Sequence, residues 1–202
     1  MHADPAMLGV SQHPRAPRDW YPTIDENVTH ALARVLLAEG YLTKRDTIWE
    51  CAAGDWAMGR VLEQHFDNVW GSDIEPQAAN INQLDFLNST PSLGFDAIIT
   101  NPPFGDLVTD FMDRGVYHIR QGNAIFAAML GRNELDTSGR DRAHLFGNCP
   151  EYVGKIVLTW RPRWFEKKQG DNGPRFNYAW YLWGERPMVK RQGGPRLYYA
   201  GR

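Results

Sequence analysis

The 202-residue chain is 43% hydrophobic and 23% charged, enough for one domain with a real core, and it has no apolar run long enough to cross a membrane. Cys51 and Cys149 form no Cys-x-x-Cys pair, which argues against a disulfide scaffold or structural zinc and for a reduced, cytoplasmic protein. The formal net charge of −2 hides a gradient: residues 1–151 carry 11 Lys and Arg against 21 Asp and Glu, residues 152–202 carry 11 against 3, and such a basic end suits a polyanion or a solvated surface.

Residues 1–19 show neither periodicity nor a signal-peptide core and are expected to be a flexible leader. A domain over 20–185 follows. Tyr21-Pro22-Thr23 precedes an amphipathic helix with Val28, Ala31, Leu32, Val35 and Leu36 on one face, ended by Gly40 and capped by Asp25 or Thr23. Thr47–Ala53 reads as the first strand. It turns through Gly54-Asp55-Trp56 into a helix carrying Val61, Leu62, His65 and Phe66, the kind of strand-to-helix turn that lets backbone approach a ligand. Asn68–Asp73 is the second strand. Asp73 stands 19 residues after Gly54, the interval at which doubly wound folds place a ribose-binding acid; its other reading is the cap of a short helix starting near Pro76. Asp85-Phe86-Leu87 comes next.

The apolar run Ala97–Thr100 is expected to be a buried parallel strand, and Asn101-Pro102-Pro103-Phe104 must end it, because two prolines donate nothing to a ladder. Those prolines stiffen the loop and keep Asn101 out of the helical region. The Asn101 carboxamide oxygen and the Pro102 carbonyl are two fixed neutral acceptors at a strand end, suited to an amino group. This motif resembles that of the S-adenosylmethionine-dependent amino-methyltransferases, nearest to small phage- or prophage-type DNA N6-adenine methyltransferases.

The resemblance implies a class I methyltransferase fold, Rossmann-like: α/β, doubly wound, with a mostly parallel seven-stranded sheet and an antiparallel last strand. It implies S-adenosylmethionine as cofactor and no metal, with Tyr21 and Thr23 at its methionine end, Glu50 and Gly54 in the acid-x-x-x-Gly turn, Asp73 on the ribose, and Asp85 and Phe86 on the adenine. Trp56 stands where that turn has its second glycine, so its indole either packs outward or narrows the cleft. Asn101 and Pro102 would accept the hydrogens of the target amine, Pro103 would hold the loop, and Phe104 would stack on the base.

Leu107–Ile119 reads as a helix and Gly122–Leu130 as a buried strand; residues 131–149 are a substrate-side lid or an ordinary surface connection. Val153–Trp160 and Asn177–Gly184 have no helical pattern between them and form an antiparallel hairpin. Its long loop mixes Arg161, Arg163, Lys167, Lys168 and Arg175 with Trp164 and Phe165, a composition that neutralises phosphates and stacks a base; Trp164, by resemblance, would close the second face of the target base, and a core-packed Trp-Phe pair is the plain alternative. Residues 186–202 are expected to be a basic, flexible tail. The expected partner is nucleic acid, DNA more than RNA, without membrane. The alternatives are an RNA adenine or protein glutamine methyltransferase, or a non-catalytic nucleic-acid-binding module retaining the fold.

Overall fold

The computed structural model describes residues 22–137, 140–164 and 174–202. The leader, Tyr21, and Phe165, Lys167 and Lys168 of the long loop lie outside the described residues. The strands are β1 Thr47–Glu50, β2 Asn68–Asp73, β3 Asn82–Gln83, β4 Ala97–Thr100, β5 Phe126–Arg132, β6 Tyr152–Leu158, β7 Tyr178–Gly184 and β8 Arg196–Ala200; the helices are α1 Asn27–Ala38, α2 Ala57–Leu62, α3 Leu107–Arg120 and α4 Arg186–Gln192. They form one sheet of order β3-β2-β1-β4-β5-β7-β6-β8. Among these strands only β7 runs against its neighbours, pairing antiparallel with β5 and β6.

The strands are apolar throughout because both faces are covered. Along β5, Phe126, Ala128 and Leu130 face a core shared with α1, α2 and α4, while Ala127 and Met129 face a second core shared with α3 and with Leu135, Leu145 and Phe146. Two buried tryptophans of β7 latch the layers through their N–H groups, Trp180 donating to the Val28 carbonyl at 2.9 Å and Trp183 to the Leu145 carbonyl at 2.8 Å, while Trp49 of β1 donates to Ser72 Oγ of the neighbouring β2 at 2.9 Å. Leu135, Leu145 and Phe146 thus tie the segment after β5 to one face of the sheet. Among the described residues no helix is long and apolar enough to cross a membrane.

Three expectations change. The sheet has eight strands, because part of the tail folds: β8 lies parallel beside β6, and Tyr198 Oη meets Tyr41 Oη at 2.7 Å. Gly154 makes that pairing possible, since a side chain there would run into the backbone of Arg196. The reversed strand is thus the seventh and not the last. Neither Asp25 nor Thr23 caps α1, whose N-cap is Glu26 without a side-chain bond. Asp25 is engaged elsewhere, accepting from Trp160 Nε1 at 2.9 Å and from Asn27 Nδ2 at 3.1 Å. No helix forms between β2 and β3, where the Gln77 N–H bonds across to the Gly54 carbonyl at 2.9 Å.

Candidate active site

The sheet order reverses between β1 and β4, and in doubly wound folds the crevice opens at the carboxyl ends of the strands flanking that reversal. Here it is a cleft of about 280 Å³, lined by Glu50 from β1, Gly54 and Asp55 from the following turn, Met58 from α2, Asp73 and Glu75 after β2, and Asn101, Pro102 and Pro103 after β4, with Pro22 and Thr23 closing one side.

The wall made by β1 and β2 is acidic. Glu50 is only 2% exposed, and its Oε2 has no hydrogen-bond partner among the described residues. Burial pushes its carboxyl well above the usual range, and Asp73 and Asp55 push it further. Asp73 is held on both sides: one oxygen accepts the Gly54 N–H at 2.9 Å and the other the Glu75 N–H at 2.8 Å. Each carboxylate oxygen has a second lone pair left for a ligand. A cleft with an uncompensated buried carboxyl and further acids beside it suits a cationic ligand.

Trp56 does not enter this cleft. It adopts a left-handed backbone, φ 70°, the conformation for which glycine is the usual choice. Its indole turns away, packs with Ala53 and Ile81, covers Gly59 and Gly71, and donates to Glu63 Oε1 at 3.2 Å. The space a glycine would have left open is therefore open here as well.

The opposite wall holds the motif loop. The Asn101 amide nitrogen donates to Thr23 Oγ1 at 3.1 Å, and Thr23 is itself buried. That bond sets the plane of the carboxamide and leaves its oxygen as the acceptor end. No sequence signal joins these residues, which are 78 positions apart.

Other expected site residues go elsewhere. The resemblance gives Phe86 its part on the adenine through its backbone amide; its ring is 2% exposed and lies in the second core against Trp49 and Phe111, because its aromatic neighbours complete that cluster. Asp85 does not line the cleft, and accepts instead from the Leu87 N–H and Asn88 Nδ2 in its own turn. Phe104 and Trp164 do not stand apart as two faces of a base pocket. They touch edge to face with centroids 5.5 Å apart, and Trp164 rests on Tyr178 at 4.9 Å, because the start of β7 gives both rings a common support. Arg161 is exposed and donates from Nε to Asn177 Oδ1 at 3.1 Å; Arg163 is half-buried; both sit beyond the end of β6, beside this trio and outside the cleft. Met58 lines the cleft without any motif having marked it, and Pro22 and Asp55 line it from within the two marked stretches.

No family model and no curated protein matches the sequence. Solved structures are similar in fold. A protein of Pyrococcus horikoshii described as a candidate RNA methyltransferase aligns with a TM-score of 0.62 and 12% identity over 86% of this chain and 91% of its own. The 23S rRNA methyltransferase ErmE aligns at 0.54 and 19% identity over 86% of this chain and 71% of its own, and a dimethyladenosine transferase from Plasmodium falciparum at 0.52 and 11% over 78% and 61%. The fold is that of the class I methyltransferases.

Proposed function

We propose that the chain is an S-adenosylmethionine-dependent methyltransferase whose acceptor is the exocyclic amine of a nucleic-acid base, adenine N6 in DNA. The observation that carries this reading is that one cleft joins an acidic wall at the ends of β1 and β2 to a proline-stiffened Asn101 carboxamide at the end of β4. The residues fit the cofactor, which carries an ammonium and a sulfonium: Oε2 of the buried Glu50 carboxyl lacks a partner among the described residues, and Gly54 leaves room for close approach. Glu50, Gly54, Asp73 and Thr23 would hold it, and it would supply an electrophilic methyl group.

The residues of the chain carry the acceptor side. An exocyclic amine is a weak nucleophile because its lone pair is delocalised into the ring. The Asn101 oxygen and the Pro102 carbonyl, as acceptors for its two hydrogens, would localise that lone pair on nitrogen and stabilise the positive charge that develops there. A neutral amide suits this task and no general base is required. Phe104 and Trp164, both half-buried, stand beside this loop, where a base would stack. RNA is the second reading, favoured by the likeness to proteins described as RNA methyltransferases. Two buried free cysteines accord with a cytoplasmic setting.

The test is incubation with methyl-labelled cofactor and separate DNA, RNA and protein pools, followed by nucleoside analysis. Label in N6-methyladenine of DNA is the expected result; label confined to protein would sink the reading. Asn101→Ala should abolish transfer while cofactor affinity, measured by calorimetry, stays within a few-fold.

A further inference from the structure

The cleft accounts for only part of the carboxyl edge of the sheet. Beyond Asn101 the edge runs on through the ends of β5, β7, β6 and β8, roughly 19 Å at the usual spacing between strands. Three of these four strand ends, those of β5, β6 and β8, present an exposed arginine held by a neighbour. Arg132, the last residue of β5, lies with its guanidinium 3.8 Å from the centre of the Phe176 ring, just ahead of β7. Arg161, after β6, is tied through Nε to Asn177 Oδ1 at 3.1 Å. Arg202, after β8, lies 5.9 Å from the centre of the Trp160 ring, is 58% exposed, and has Asp25 at 3.5 Å on one side. Phe104, three residues after Asn101, touches Trp164, and both touch Tyr178 at the start of β7, so this trio joins the motif loop to the same edge.

We infer that this row is a phosphate track, and that the strand carrying the target base lies along the carboxyl edge from β5 to β8 with its backbone read by Arg132, Arg161 and Arg202. This inference rests on the proposed nucleic-acid acceptor. A guanidinium stacked on a ring or tied at Nε gives up little further freedom when it binds, and its remaining N–H groups form a planar fork that matches phosphate geometry. Set at the ends of β5, β6 and β8, the three guanidiniums form a cationic line, with the aromatic trio placed where a base leaves it. The track makes no base-edge contacts, so it sets affinity and register and leaves sequence preference to the pocket.

The probe is a fluorescein-labelled DNA single strand of about 20 nucleotides, longer than the 4–16 nucleotides typical of a single-strand site. Its affinity for the full chain is measured by anisotropy over a series of salt concentrations, with an RNA strand of the same sequence as a second arm. Arg132→Gln with Arg202→Gln should weaken binding independently of sequence and lower the salt slope by about 1.4, at about 0.7 per phosphate on a single strand. Arg161→Gln alone should lower it by about half as much. The charge-matched pair Arg45→Gln and Lys190→Gln, exposed residues at the opposite edge, should leave the slope unchanged. A loss in either arm supports the track and names the strand. Equal loss from both pairs, or none from either, overturns it even where methyl transfer to nucleic acid persists. Transfer to protein alone takes down the acceptor reading itself.

Discussion

Glu50 shows how one residue can be costly to the fold and useful to the site. Its carboxyl is buried and lacks a partner among the described residues at Oε2, with Asp73 and Asp55 nearby, so ionising it is unfavourable. Because the folded-state value is raised above the ordinary 4.5, its contribution to stability is present below that value and is lost as pH rises through the raised one. A bound cation reverses the balance by stabilising the ionised form, so cofactor affinity should rise over the same window in which the ligand-free protein loses stability. Glu50→Gln should raise the melting temperature at neutral pH and flatten both pH profiles. It should also weaken S-adenosylmethionine binding roughly 10- to 100-fold, the worth of a hydrogen bond to a charged group. Calorimetry across pH checks this, and a Gln variant that binds the cofactor as tightly as the parent would remove Glu50 from the site.

At the scale of elements, the turn between β1 and α2 is shaped by where an indole goes. Trp56 lies over Gly71 in β2 and Gly59 in α2, and a Cβ at either glycine would overlap its ring. Gly71→Ala should therefore displace the indole and cost about 1–3 kcal/mol, the usual range for overpacking. It should weaken cofactor binding too, since Gly54 belongs to the same turn. Gly94→Ala, where an added methyl meets nothing within 4 Å, should stay within about 0.5 kcal/mol in the same denaturant titration. The turn also marks what a sequence can and cannot show. Strand periodicity, the double proline and the interval from Gly54 to Asp73 are local signals, and together with the resemblance of the acid-x-x-x-Gly turn they name Glu50, Gly54, Asp73 and Asn101, which the structure sets around one cleft. The direction of Trp56 depends on Gly71, in another strand. The bond from Asn101 to Thr23 spans 78 positions and that from Trp160 to Asp25 spans 135. Phe86 turns inward for the same kind of reason, because Trp49 and Phe111 form its surroundings. Charge and glycines give the tail the look of a flexible segment, while the space Gly154 leaves for β8 exists only once β6 is in place.

Across the whole molecule the two edges of the sheet divide the work. The carboxyl edge holds the cleft and the arginine row, whereas the amino edge is closed by a buried ion cluster. Glu151 is 2% exposed and accepts from Arg120 Nη2 at 2.9 Å, at the end of α3, and from Arg186 Nε at 2.6 Å, at the start of α4. Burial raises its carboxyl, but the two guanidiniums and the Cys149 thiol outweigh that and bring it down to about 2. A value depressed below the ordinary 4.5 means that the stabilisation is present above pH 4.5 and is lost as pH falls towards 2. Through Arg186 the cluster anchors α4, which leads into β8. Glu151→Gln should then cost about 2–3 kcal/mol at neutral pH, less than the roughly 3–5 of a fully buried pair because Arg120 and Arg186 are about half exposed. The deficit should shrink as both proteins are titrated below pH 4.5. Hydrogen exchange should report faster opening of α4 and β8 than of β1 and β4 in the variant, since the clamp lies at their end of the sheet. Uniform loss of protection across all strands would instead make the cluster a general support of the fold, with no special hold on its eighth strand.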